Sequence, residues 1–123
     1  MNACKLALRQ EKIHRTIIEV PGPASAPVLI GQGYFTLIAG PCAVENREDY
    51  LELALRLKQS GAHILRGGAY KPRTSPYSFS GLGMEGLKIL VEARSVTGLP
   101  VITELMDIRD LDAVCCHADI IQV

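Results

Sequence analysis

Little in this sequence would draw the chain to a membrane or to nucleic acid. Its 123 residues include 13 basic and 13 acidic side chains, so the formal net charge is zero and offers no general attraction to either surface. No apolar run approaches the roughly 20 residues that span a bilayer. Lys5 and Arg9 interrupt the apolar residues at the amino terminus, which therefore lack a signal-peptide core. We expect a cytosolic protein with no membrane or nucleic-acid partner.

The sequence also lacks cysteine spacing that would indicate a zinc ribbon or a disulfide framework. Its four cysteines are Cys4, Cys42, Cys115 and Cys116, and the adjacent pair is a poor candidate for a bridge. In a cytosolic chain they are expected to be free thiols. With 48% apolar and 21% charged residues, the chain has the composition of a single globular domain.

From residue 33 onward, short apolar runs alternate with helical segments. Four buried strands are predicted, from the runs YFTLIAG (34–40), HILRGG (63–68), PVITEL (100–105) and DIIQV (119–123). Helices are predicted between them, from Asn46 to about Ser60, from about Met84 to Thr97, and from Asp107 onward with Ile108, Leu111 and Cys115 on one face. Strands that are apolar on both faces and joined by helices indicate a parallel sheet.

The predicted fold class is α/β, a parallel (βα)₃β unit that corresponds to half of a TIM (β/α)₈ barrel. Residues 33–123 form this unit, and residues 1–32 form an extension in which TIIEV and VLIG predict a hairpin or lead-in strand. An open four-stranded sheet would need helices on both faces, and only three are available. Half a barrel exposes two strand edges and an apolar face, so we expect a homo-oligomer or a complementing carboxyl-terminal half.

Positive charge is concentrated in the segment LRGGAYKPRTSPYSFSGLG (65–83). The 32 residues 53–84, which include all of it, contain no Asp or Glu, and Arg66, Lys71 and Arg73 follow the second predicted strand. Ligands of parallel α/β folds bind at this end of the strands. Arg offers a bidentate fork and Lys a compact charge, so the segment predicts phosphate or carboxylate binding. A basic loop that is merely exposed is the alternative.

Two further candidates follow other strands. Cys42 comes directly after IAGP, and it is either a buried thiol or a thiolate ligand of a divalent transition metal whose other ligands lie on later strands. Glu104, in VITEL, is either a carboxylate at the same mouth or the salt-bridge partner of a loop cation. The histidines at positions 14, 63 and 117 are expected to be exposed or structural.

Four segments closely resemble one enzyme family, namely IAGPCAVE (38–45), the cationic segment (65–83), VITE (101–104) and ADIIQV (118–123). They resemble the 3-deoxy-7-phosphoheptulonate (DAHP) synthases, TIM-barrel transferases of the shikimate pathway and aromatic amino-acid biosynthesis. The resemblance is to the smaller bacterial branch, which is related to the 3-deoxy-octulosonate 8-phosphate synthases. The loop KPRTSP resembles that of the DAHP synthases, whereas the octulosonate enzymes carry an Asn-Arg-Ser type of loop at this position.

The resemblance implies an aldol-type condensation of phosphoenolpyruvate with erythrose 4-phosphate, in which inorganic phosphate is released. It implies that Arg66 and Lys71 are the catalytic cations that hold phosphoenolpyruvate. Arg73 and Thr74 match contacts to erythrose 4-phosphate, and Glu104 matches a carboxylate near the phosphoenolpyruvate site. Clustered cations suit this reaction, because the charges of two anionic substrates must be neutralised before they can meet.

Cys42 matches the metal-binding cysteine of the family, which implies a divalent cofactor of the Mn, Fe, Co or Zn type that polarises the aldehyde. The family's other ligands, a His, a Glu and an Asp, come from later strands that these residues do not include. We therefore expect the chain to be a truncated part of a longer enzyme and to be inactive alone. Two alternatives stay open, an octulosonate phosphate synthase and a non-catalytic half barrel that acts as an interaction module.

Overall fold

Strands and helices alternate along the residues that the computed structural model describes, which are 15–24, 26–72, 77 and 79–123. The first two strands are β1 (Ile17–Val20) and β2 (Val28–Gly31). The elements that follow are β3 (Ile38–Ala39), α1 (Arg47–Gln59), β4 (Ile64–Arg66), α2 (Met84–Thr97), β5 (Val101–Glu104), α3 (Leu111–His117) and β6 (Ile120–Gln122). A 3₁₀ turn, Ile108–Asp110, directly precedes α3.

The strands form two sheets. β1 and β2 pair antiparallel as a hairpin, whereas β3, β4, β5 and β6 form a parallel sheet in that order. The predicted (βα)₃β unit and the hairpin before it are therefore confirmed. β3 is much shorter than the predicted run 34–40, because only two of its residues pair with β4. The predicted domain boundary at residue 33 stays a prediction.

The first two helices begin and end where the sequence indicates. Asn46 caps α1, and its side-chain oxygen accepts a hydrogen bond from the Asp49 backbone N–H at 2.8 Å. α2 ends at Gly98, whose φ of 71° is the left-handed conformation typical of a glycine at a helix end. Both helices pack on one face of the parallel sheet, where Leu87 and Leu90 of α2 are fully buried.

The predicted inward face of the third helix is wrong. Ile108 is 74% exposed and Cys115 is also exposed, whereas Val114 is the fully buried residue of α3. Asp107 caps the 3₁₀ turn rather than an α-helix, since its carboxylate accepts the Arg109 N–H. A 3₁₀ turn has three residues per turn instead of 3.6, so the face extrapolated across it is rotated away from the core.

The hairpin lies at the amino ends of the parallel strands. A Cβ atom on Gly22, in the hairpin turn, would lie 3.2 Å from Cδ of Pro100, the residue before β5. The Thr36 hydroxyl, just before β3, donates to the Leu29 carbonyl of β2 at 2.8 Å. The hairpin thus leaves the carboxyl ends of the strands free. Within the described part of the chain, no helix has the length and apolarity needed to cross a membrane.

A nearly buried carboxylate ties the end of the sheet to α2. The Asp119 side chain is only 9% exposed, and both of its oxygens accept hydrogen bonds from the Arg94 guanidinium at 2.8–3.1 Å. One of them also accepts the Val101 backbone N–H at 2.8 Å. Burying the Asp119 carboxylate costs little free energy here, because the bidentate guanidinium satisfies both of its oxygens. Arg94 itself stays partly in water.

We expect Asp119→Ala to lower the free energy of unfolding by about 2–4 kcal/mol, because it leaves a guanidinium and a buried N–H without their acceptor. Urea denaturation of the chain measures this. Glu52→Gln is the matched control, since it breaks the exposed Glu52–Arg56 pair of α1 and should cost less than about 0.5 kcal/mol. Equal losses in the two variants would contradict the role assigned to Asp119.

Candidate anion-binding site at the carboxyl ends of the strands

Strand register places two predicted site residues on the same face of the sheet. Arg66 of β4 lies beside Ile102 of β5, and Glu104 follows Ile102 by two residues. Residues that are paired on adjacent strands project from the same face of the sheet, and so do alternate residues of one strand. Arg66 and Glu104 therefore both project from the face opposite the helices. Gln122 of β6 lies beside Glu104 in the same row.

Cys42 and Lys71 are in direct contact. The Lys71 ammonium donates a hydrogen bond to the Cys42 sulfur, with 3.1 Å between Nζ and Sγ. Cys42 is exposed, so the alternative of a buried apolar thiol is wrong. The two residues follow neighbouring strands, β3 and β4, and their contact forms at the carboxyl edge of the sheet.

Arg66 also lies next to Cys42. Its guanidinium donates to the carbonyl of Pro41, the residue before Cys42, at 3.0 Å. Lys71 is fixed through its backbone N–H, which donates to the Ser80 carbonyl at 2.8 Å across the base of the cationic loop. Two cations that are 5 residues apart in the sequence thus surround one thiol.

The cations change the acidity of that thiol. The hydrogen bond from Lys71 is the main cause that lowers the pKa of Cys42, and Arg66 lowers it further. Partial desolvation acts in the opposite direction and is the weaker effect. An exposed thiol beside Lys and Arg is the environment in which thiolates form readily near neutral pH.

Tyr50 is a residue of this site that the sequence analysis did not identify. It is buried on α1, and its hydroxyl donates to the Arg66 carbonyl at 3.0 Å. Burial raises the pKa of the Tyr50 phenol, so the hydroxyl keeps its proton and stays a donor. The available signal was its position, four residues before the buried Ala54 on the same helical stripe.

Other predicted residues do not join the cluster. The Glu104 side chain makes no ion pair with any cation among the described residues, so a salt bridge to Arg66 or Lys71 is not formed. Arg73 and Thr74 lie outside the described residues. The expected structural role of His63 is confirmed, because its Nδ1 accepts the Leu37 N–H at 3.0 Å.

Cys42 lacks a full set of partner ligands for the predicted metal in the described part of the chain. Among residues 15–24, 26–72, 77 and 79–123, no three His, Cys, Asp or Glu side chains come together in a way that could hold a metal ion. Cys42 is a suitable thiolate donor, but one ligand does not make a site. The described residues therefore supply one ligand, Cys42, and no complete metal site.

Comparison with known proteins identifies the family. The model of the DAHP synthetase I family matches residues 10–123. The chain belongs to the DAHP synthetase I family. Its resemblance to these synthases is confirmed, and the relatives it matches are named as enzymes.

Two curated relatives represent the two branches. A phospho-2-dehydro-3-deoxyheptonate aldolase of Thermotoga maritima is 50% identical over 119 residues, which are 97% of this chain and 34% of the relative. A 2-dehydro-3-deoxyphosphooctonate aldolase of Caulobacter vibrioides is 36% identical over 115 residues, which are 87% of this chain and 40% of the relative. The chain thus spans only 34–40% of the length of these family members.

Two solved structures agree with the family. The crystal structure of the Thermotoga maritima DAHP synthase matches with a TM-score of 0.81 and 51% identity, over 89% of this chain and 30% of that one. A truncated form of the synthase from the same organism matches with a TM-score of 0.71 and 44% identity, over 88% and 36%. The parallel sheet and its helices are therefore part of a TIM barrel of this family.

We expect Lys71→Met to raise the pKa of Cys42, because it removes the main hydrogen bond to the thiolate. At neutral pH, iodoacetamide should therefore alkylate Cys42 more slowly in the variant than in the wild-type chain. The pH at which the alkylation rate increases should be higher in the variant, as followed at the Cys42 peptide by mass spectrometry. Lys58→Met is the control, since Lys58 is exposed on α1. The same pH profile in both variants would show that Lys71 does not act on Cys42.

Proposed function

We propose that the chain is part of a DAHP synthase that condenses phosphoenolpyruvate with erythrose 4-phosphate to give 3-deoxy-7-phosphoheptulonate and inorganic phosphate. The observation that carries the proposal is the pair of cations, Arg66 and Lys71, placed around Cys42 at the carboxyl edge of the sheet. The 50% identity to the Thermotoga relative, whose name states this class of reaction, supports it.

Arg66 and Lys71 have donors left for an anion. An ammonium has three N–H donors and a guanidinium five, and the hydrogen bonds to Cys42 and Pro41 use one of each. The remaining donors suit the phosphate and the carboxylate of phosphoenolpyruvate. Neutralising these groups lowers the electrostatic cost of bringing the C3 carbon to the aldehyde of a second phosphorylated substrate.

The remaining assignments are proposals that rest on the family. Arg73 and Thr74 would contact erythrose 4-phosphate, and Glu104 would lie beside phosphoenolpyruvate on the face it shares with Arg66. Cys42 would supply one thiolate to a divalent metal whose other ligands lie outside the described residues. A cytosolic location, a homo-oligomer and a complementing carboxyl-terminal half stay predictions.

An octulosonate phosphate synthase is the second candidate, because the Caulobacter relative and others like it are named as aldolases of that product. The loop KPRTSP favours the heptulosonate reaction, as does the higher identity to the Thermotoga relative. A non-catalytic half barrel is the third candidate, and activity in a completed barrel distinguishes it from both enzymes.

The test is a chimera in which this chain replaces the matching segment of the Thermotoga relative. We expect it to release inorganic phosphate from phosphoenolpyruvate in the presence of erythrose 4-phosphate and not of arabinose 5-phosphate. Lys71→Ala should lower turnover by about a hundredfold or more, since it removes one of the two cations proposed to hold phosphoenolpyruvate. Lys58→Ala is the matched control. Preference for arabinose 5-phosphate would favour the second candidate, and full turnover in Lys71→Ala would reject the anion site.

The same chimera tests the proposed metal ligand. When it is loaded with Co²⁺, a sulfur-to-cobalt charge-transfer absorption should appear, because thiolates are ligands for such ions. Cys42→Ser should abolish this absorption, whereas Cys115→Ser on the surface of α3 should leave it intact. An unchanged spectrum in Cys42→Ser would remove Cys42 from the metal site.

A further inference from the structure

The segments that carry Cys42 and Lys71 cross at a single residue, Gly68. Its carbonyl accepts the backbone N–H of Val44 at 2.9 Å, so the segment after β3 lies directly against it. Gly68 is buried and follows β4 by two residues. Lys71 comes three residues later and returns over the same point to reach the Cys42 sulfur.

A side chain at position 68 would occupy the space that this crossing uses. A Cβ atom built on Gly68 would lie 2.4 Å from the Cys42 carbonyl oxygen and 2.5 Å from both Cε and Nζ of Lys71. Such distances are far inside van der Waals contact. Gly68 does not have a positive φ, so alanine is excluded there by space and not by backbone conformation.

The strand end cannot move away from the crossing, because it is held from the other side. A Cβ atom on Gly67 would lie 2.9 Å from the Tyr50 hydroxyl, from Val44 and from Leu90. The Tyr50 hydroxyl in turn holds the Arg66 carbonyl. Relief of a clash at position 68 must therefore come from the two loops, which would separate the lysine from the thiol.

We propose that Gly68 and Tyr50 are positioning residues that hold the Lys71 ammonium in contact with the Cys42 sulfur. Gly68 provides the space in which the ammonium lies, and Tyr50 fixes the strand end beneath it. Neither residue needs to touch a substrate. The consequence for substrate binding rests on the proposed function, in which Lys71 grips phosphoenolpyruvate, whereas the contact itself does not.

Ortho-phthalaldehyde measures the contact directly, because it condenses a thiol and a neighbouring amine into one fluorescent isoindole with loss of water. The wild-type chain should form this adduct between Cys42 and Lys71, as located by peptide mass spectrometry. In Gly68→Ala its rate of formation should fall by roughly tenfold to a hundredfold, as expected when two reacting groups are displaced by about 1 Å. Lys71→Met provides the background from the other cysteines.

Gly22→Ala is the matched control. Gly22 is likewise a glycine without positive φ, and its added Cβ would meet Pro100 at the opposite end of the strands, so the adduct should form at the wild-type rate. If Gly68→Ala does not fold, as judged by circular dichroism, Tyr50→Phe decides, because it removes only the hydroxyl under the strand end. A wild-type rate in the folded variant would overturn the proposal.

Phosphoenolpyruvate titration of the chimera with the Thermotoga relative, with and without Gly68→Ala, separates this proposal from the function. Loss of the adduct in Gly68→Ala together with weaker phosphoenolpyruvate binding supports both. Loss of the adduct in Gly68→Ala, when the unsubstituted chimera does not bind phosphoenolpyruvate, supports the positioning role and contradicts the function. Wild-type binding without any Cys42–Lys71 adduct contradicts the positioning role alone.

Discussion

The parallel register of β3 to β6 is the constraint on which the rest of this structure depends. Leu65 pairs with Val101, and Thr103 with Ile121, so one set of side chains faces the helices. The residues between them necessarily face the other way. This alternation places Arg66 and Glu104 on the same face, although no ion pair joins them. The site is thus a product of hydrogen-bond pairing between strands that are far apart in sequence.

Two polar groups keep that register connected to the helices. Asp119 accepts the Val101 N–H and the Arg94 guanidinium, which joins the start of β6 to β5 and to α2. Tyr50 does the same at the other end, where its hydroxyl joins α1 to the end of β4. Because a hydrogen bond to a buried backbone group costs free energy when lost, each polar group fixes a strand more firmly than apolar packing alone.

The fold and part of the site could be predicted from the sequence because their signals are local. Apolar runs, the Asn46 cap and the glycine at position 98 mark element boundaries, and charge clustering after β4 marks the candidate anion site. The inward face of α3 could not be extrapolated, since the 3₁₀ turn before it changed the period. Tyr50 and Gly68 were missed because their roles appear only when α1 and the segment after β3 pack against β4.

The alternation along β5 has a consequence for how this protein can diverge. Thr103 is fully buried towards the helices, and the next residue, Glu104, projects from the face that carries Arg66. A substitution at Thr103 would therefore change the packing against the helices, whereas one at Glu104 would change the face that carries Arg66. A related protein could therefore bind a different ligand through substitutions at every second strand residue, on the face that carries Arg66. The residues packed against the helices would stay unchanged.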